Sequence, residues 1–224
     1  MSTAEESKRA ALFCRVEGTL SRVPTLLAPA WCAANAQRLR QRALRLGQIV
    51  ASLPFALGGD SDVYDLGRRL GWAALRGLSQ DRIRAMAHSY AEQIIEPRLN
   101  AEALAHLQEV RRRVSHVVLI SDSISEVMQS VAERVKADAL LCNCLEYREG
   151  KATGRLLDPV IRRAVSGKRL RQYAAENNID LAASFAVASG SQDSLMLDLM
   201  GHASVIHPDR KLRHLAKQSD WSVL

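Results

Sequence analysis

Apolar residues recur along the chain in two rhythms, and the switches between them outline an alternating architecture. A compact apolar run predicts a strand over about 10–15, and helical spacing then dominates a long stretch from about 24 to 96. A helix near 99–113, stopped at "RRR", leads into the β-branched run "SHVVLIS", which has the composition of a buried parallel strand. "SISEVMQSVAERV" follows, with Ser125 as the expected N-cap and Val127, Met128, Val131 and Val135 on one face.

Farther on, "ALLCNCLEYREGKATGRLL" predicts two strands joined around Gly150-Lys151. A helix near 167–177, the strand "SFAVAS", a short helix from about 192, the strand "ASVIH" and a helix after Pro208 complete the series. Strands alternating with helices predict an α/β fold with a mostly parallel sheet, its ligand crevice at the carboxyl ends of the strands. Those ends carry Arg15 to Glu17, then Ser121 and Asp122, then Ser189 and the loop to Asp193. They are expected to converge.

The helical stretch 24–96 sits directly after the first strand, which predicts a cap over the crevice, with 1–23 and 97–224 forming the core domain. Its apolar run "IVASLPFALGG", ending in Gly58-Gly59, can be a cap core or a lipid-facing surface. The run is short, which favours core.

Composition narrows the classes. Of 224 residues 47% are hydrophobic and 25% charged, as expected of a chain that buries a core. No run approaches the roughly 20 apolar residues of a membrane span, and the start "MSTAEESKRA" lacks the features of a secretory signal, which together predict a cytoplasmic location. The formal charge of +7 favours anionic ligands. The arginines are dispersed at helical spacing and aromatics are few, so no nucleic-acid partner is expected. Cys14, Cys32, Cys142 and Cys144 are expected to be buried thiols. Cys142 and Cys144 should alternate on one strand, but no second pair completes a zinc set. The six histidines are assigned packing or surface roles.

Four stretches in order resemble the haloacid dehalogenase (HAD) superfamily, within it subfamily IB, the phosphoserine-phosphatase-like group with a helical cap on a Rossmannoid core. "LFCRVEGTL" is similar to the first motif, "VVLISDS" to the second, "SGKRLRQYA" to the third and "ASGSQDSLMLDLMG" to the fourth. The resemblance implies an aspartate nucleophile, an aspartate acid and base, a Ser and a Lys on the phosphate, and fourth-motif aspartates on Mg²⁺. Carried over by position, these roles fall on Arg15, Glu17, Ser121 and Lys168, and on Ser189 with Asp193.

Half of that machinery has changed. A guanidinium stays protonated and cannot form a phosphoryl-enzyme bond. At about 4 Å and an effective dielectric near 20 it repels a divalent ion by roughly 8 kcal/mol. Mg²⁺ is therefore expected not to bind, and Arg15 is expected to pair with Glu17 or Asp193. Arg15 and Lys168 against Glu17 and Asp193 sum to zero. The expected result is a pseudoenzyme binding a small anion, phosphate or carboxylate, or a protein partner, through Arg15, Glu17, Gly18, Ser121, Asp122, Lys168, Ser189 and Asp193. The alternative is a metal-independent hydrolase, lyase or transferase using Glu17 as acid or base; residual phosphomonoesterase activity ranks third.

Overall fold

A computed structural model describes residues 8–36, 38–57, 60–162 and 164–224. Its main sheet has six strands in the order β3-β2-β1-β6-β7-β8, every neighbouring pair parallel. The central strand β1 (Ala11–Arg15) lies between β2 (His116–Ile124) and β6 (Phe185–Ala188). β3 (Ala139–Asn143) closes one edge, while β7 (His202–Val205) and β8 (Ser222–Val223) extend the other. All five residues of β1 and all nine of β2 are buried, the signature of strands covered on both faces.

Alternation along β1 divides the core into two layers. Leu12 and Cys14 face a cluster containing Leu107, Val127, Met128, Val131 and Trp72, whereas Ala11 and Phe13 face Leu170, Met196, Leu197 and Leu212. The first layer is closed by α5 (Ala101–Arg111) and α6 (Ser125–Val135), the second by α7 (Gly167–Glu176), α8 (Ser194–Leu199) and α9 (Arg210–Gln218). Truncating a fully buried side chain here, such as Leu119→Ala, removes about 2–5 kcal/mol.

Between β1 and α5 lie, among the described residues, four α-helices, α1 (Leu27–Ala34), α2 (Leu39–Ala56), α3 (Ser61–Ala73) and α4 (Gln80–Tyr90), the last continued by a π-helical turn (Ala91–Ile95) and a 3-10 turn (Glu96–Arg98). They form a helical insert. α2 and α3 approach closely at Gly67, where a Cβ would come within 2.3 Å of the Ala56 backbone nitrogen. Among the described residues no helix is long and apolar enough to cross a membrane.

Several expectations are corrected. Ser125 does not cap α6: the N-cap is Ile124, and the Ser125 hydroxyl instead bonds Glu126 at 3.1 Å. "ALLCNCLEYREGKATGRLL" gives three strands rather than two, because β3 joins the main sheet before the hairpin of β4 (Leu145–Arg148) and β5 (Lys151–Leu156). Cys142 therefore lies in β3 while Cys144 falls in the link beyond it, exposed. The run after Ile49 is mostly surface: Ile49 and Ser52 are buried, but Val50, Leu53, Phe55 and Leu57 are exposed. Gly58 and Gly59 lie outside the described residues.

Candidate active-site pocket

The carboxyl ends of β1, β2 and β6 meet around one buried guanidinium. Arg15, the last residue of β1, is 1% exposed. Its Nε lies 3.2 Å from Glu17 Oε2 and 3.8 Å from Asp193 Oδ1, and its Nη2 lies 3.4 Å from Asp122 Oδ2. Burial alone would pull the guanidinium pKa down. The surrounding charges of Glu17, Asp193 and Asp122 reverse that and raise it above its ordinary value. Arg15 is charged in this fold at every pH the fold survives.

Glu17 is held from β2, where the Ser121 hydroxyl donates to its Oε1 at 2.5 Å and the Asp122 amide to its Oε2 at 3.3 Å. Burial, reinforced by Asp122, pushes its pKa up to about 7 against the opposing pull of Arg15 and the Ser121 hydrogen bond. With Glu17 ionised, three carboxylates surround one cation. Arg15, Glu17, Asp122 and Asp193 by themselves then sum to −2, and to −1 when Glu17 takes up a proton.

The sequence expectation of a neutral set is corrected at both ends. Asp122 enters the ion-pair set as a third carboxylate. Lys168 does not enter, because it lies in the first turn of α7, exposed, and makes no ion pair with these acids. Ser189 lies beside the pocket, its Cβ 4.0 Å from where a Cβ on Gly18 would be, but its hydroxyl is spent on the Ile206 carbonyl at 2.5 Å. Gly18, at φ +79°, makes the turn after β1, and its amide donates to the Ser21 carbonyl at 2.8 Å. Neither residue offers its group to the centre of the pocket.

The helical insert supplies partners that sequence reasoning missed. Thr25 Oγ1 donates to Asp122 Oδ1 at 2.7 Å and the Tyr64 hydroxyl to Asp122 Oδ2 at 3.3 Å. Burial, then the Asp122 charge, push Tyr64 up to about 12, so it remains a donor. Arg68, also 1% exposed, reaches the Asp122 carbonyl through Nη1, and through Nη2 the Ile161 carbonyl at 3.0 Å and Asp65 at 3.1 Å. Asn143, at the end of β3, donates to the same two carbonyls at 2.7 and 2.9 Å. No local pattern separates Arg68 from its exposed neighbour Arg69; only the fold does.

Cys14 is fully buried on the opposite face of β1, as alternation requires. Burial, with a contribution from Asp193, raises its thiol pKa far from the nucleophilic range. Beside Glu17 lies a cavity of about 20 Å³, lined among others by Val16, Thr25, Tyr90, Ser123 and Met128. It has room for about one water molecule.

A parallel α/β sheet whose motif positions gather at the carboxyl ends of β1, β2 and β6, under a helical insert that follows β1, defines a phosphatase-type scaffold. The haloacid dehalogenase-like hydrolase model matches residues 13–198, and the chain belongs to that family. It is 28% identical over 180 residues to a putative hydrolase of Mycobacterium leprae, covering 80% of this chain and 60% of the relative. A phosphoserine phosphatase of Mycobacterium tuberculosis is 27% identical over 180 residues, 80% of this chain and 58% of its own. The chain thus spans about 60% of the length of these curated relatives. A substrate-bound phosphoserine phosphatase structure superposes with a TM-score of 0.66 at 18% identity, covering 97% of this chain and 94% of that one, which establishes the shared fold. The protein is a haloacid dehalogenase-like hydrolase by family and shares the fold of phosphoserine phosphatase.

Proposed function

We propose that this phosphatase-like protein has given up metal-dependent phosphoaspartate chemistry and acts as a binding protein, with its helical insert as a cap closed over the former catalytic centre. The observation that carries this reading is the position of Arg15, 3.2–3.8 Å from three carboxylates. No carboxylate stands at the nucleophile position, and the cation fills the space among the acids where an ion would sit. The residues present do not suit Mg²⁺, which prefers oxygen ligands in octahedral geometry and would meet a guanidinium there. The hydrolase and phosphatase names of the relatives belong to those proteins and pull the other way; the substitutions at residues 15 and 189 set this chain apart from the motif that the family's chemistry requires.

A protein partner is the better-supported ligand. The three carboxylates around Arg15 disfavour an anion, and although Arg15 Nε and Nη1 make no hydrogen bond among the described residues, Nε already lies 3.2 Å from Glu17. A small phosphate or carboxylate would have to compete with Glu17 for Nε or rely on Nη1. The second reading, metal-independent acid–base catalysis, is favoured by the placement of Glu17 beside Asp122 and Ser121, where burial pushes its pKa up to about 7, a range matched to proton transfer. The adjoining cavity admits no substrate larger than water, so that chemistry requires the insert to open.

The test offers the purified chain a generic phosphate monoester with and without Mg²⁺, while its melting temperature is followed with Mg²⁺, phosphate and small carboxylates. No metal-dependent turnover and no Mg²⁺ stabilisation are expected. Mg²⁺-dependent hydrolysis would overturn the reading.

A further inference from the structure

Helix α2 is an odd member of its insert, because among its residues only Ile49 and Ser52 are buried. At 100° per residue, Leu39, Ala43, Leu46, Val50, Leu53 and Leu57 fall within a sector of about 80° that runs the length of the helix and one residue beyond. Most of that stripe faces outward: Leu39 is 78% exposed, Val50 64% and Leu57 80%, while Leu46 is half-buried against Ala33, Ile49 and Ala74. Monomeric soluble proteins rarely display so continuous an apolar strip.

Charge indicates what covers it. α2 contains Arg40, Arg42 and Arg45 and no acidic residue. Arg45 turns inward and bonds the Ala74 and Arg76 carbonyls, whereas Arg40 and Arg42 are exposed on opposite sides of the stripe, Arg42 donating one long hydrogen bond of 3.4 Å to the Ala36 carbonyl. An apolar face edged by arginines is matched by a surface with acyl chains below and negative charge at the level of the guanidinium groups. A second copy of α2 would bring a basic edge without acids to answer it. We infer that α2 docks the protein peripherally on an anionic phospholipid bilayer, with the stripe in the acyl boundary and Arg40 and Arg42 at the headgroups.

The experiment is vesicle flotation of the full chain with vesicles of phosphatidylcholine alone and of phosphatidylcholine with phosphatidylglycerol. The chain should float with the anionic vesicles and not with the neutral ones. Val50→Ser with Leu57→Ser, and separately Arg40→Gln with Arg42→Gln, should each lower the bound fraction at least tenfold. All four positions are exposed, so melting temperatures should stay at the wild-type value, and the arginine pair gives an independent reading if the serine pair fails to fold. No flotation, equal binding of wild type and both variants, or a dimer in sedimentation that Val50→Ser with Leu57→Ser dissociates would overturn the proposal, the last assigning the face to a second copy.

Discussion

Asp122 ties the core cation to the helical insert: the Oδ2 that lies 3.4 Å from Arg15 Nη2 also accepts the Tyr64 hydroxyl at 3.3 Å. Its other oxygen takes the Thr25 hydroxyl at 2.7 Å. A single carboxylate, 1% exposed, is thereby shared between the sheet and two points of the insert. Arg15 thus serves two purposes, offsetting part of the negative charge of the acids around it and fixing the carboxylate to which the insert is fastened.

Removing that cation leaves buried Asp122 and Asp193 beside the half-buried Glu17. Arg15→Ala is expected to cost about 3–5 kcal/mol of unfolding free energy, the range for breaking a buried charge set from one side. Urea denaturation of the two proteins measures it. A loss under 1 kcal/mol would mean that the ion pairs are not formed.

Glu17 gives the pocket a pH signature whose sign is fixed by its raised pKa. The unfolded chain releases this proton near 4.5, whereas the folded chain holds it until about 7. Between those values the native state binds more protons, so stability falls as pH rises, by up to about 3 kcal/mol, and is flat with respect to this group above 7. Glu17→Gln stays neutral throughout and keeps an acceptor for Ser121. It should melt higher than wild type at pH 8, with the difference vanishing toward pH 4.5. A wild-type melting temperature that rose between pH 5 and 7 while the variant's stayed level would contradict the assignment.

The insert's fastening can be loosened without touching the core charges. Thr25→Val removes one donor to Asp122 and Tyr64→Phe another, each worth about 1–3 kcal/mol as a hydrogen bond to a charged group. Both share one acceptor, so the double variant should deviate from additivity. Hydrogen exchange should quicken in α1 and α3 while the amides of β1 and β2 keep their protection. Uniform acceleration across the sheet would show that the insert and core open as one unit.

What was legible in the sequence follows from what periodicity encodes. Hydrophobic runs locate strands, and strand ends in a parallel sheet share one edge, which brought Arg15, Glu17, Ser121, Asp122 and Asp193 to one place. Side-chain direction at a loop or helix start is not encoded by spacing. Lys168 matched a motif yet faces solvent, and Ser189 matched one yet turns to a carbonyl of the neighbouring chain segment. The contributions of Thr25, Tyr64 and Arg68 depend on how the insert folds back over β2, a long-range arrangement that leaves no mark on local patterns. The apolar run after Ile49 was misread for a related reason: amphipathic spacing says that a helix has an apolar face, not whether the protein covers it.

The sharpest prediction reverses the changes. Arg15→Asp alone sets four carboxylates against one another and should unfold at lower temperature than Arg15→Ala, because like charges in a dry pocket repel more than a void costs. Adding Ser189→Asp makes the metal-free protein weaker still, since the new carboxylate loses the serine's bond to Ile206 and faces its carbonyl. The same set of hard oxygens then suits Mg²⁺, and a divalent ion at a hundredfold excess over its dissociation constant returns about 2.7 kcal/mol. The double variant should therefore melt markedly higher in millimolar Mg²⁺, while wild type does not respond. A double variant indifferent to Mg²⁺ would mean that residues 15 and 189 do not occupy the positions through which this fold holds an ion.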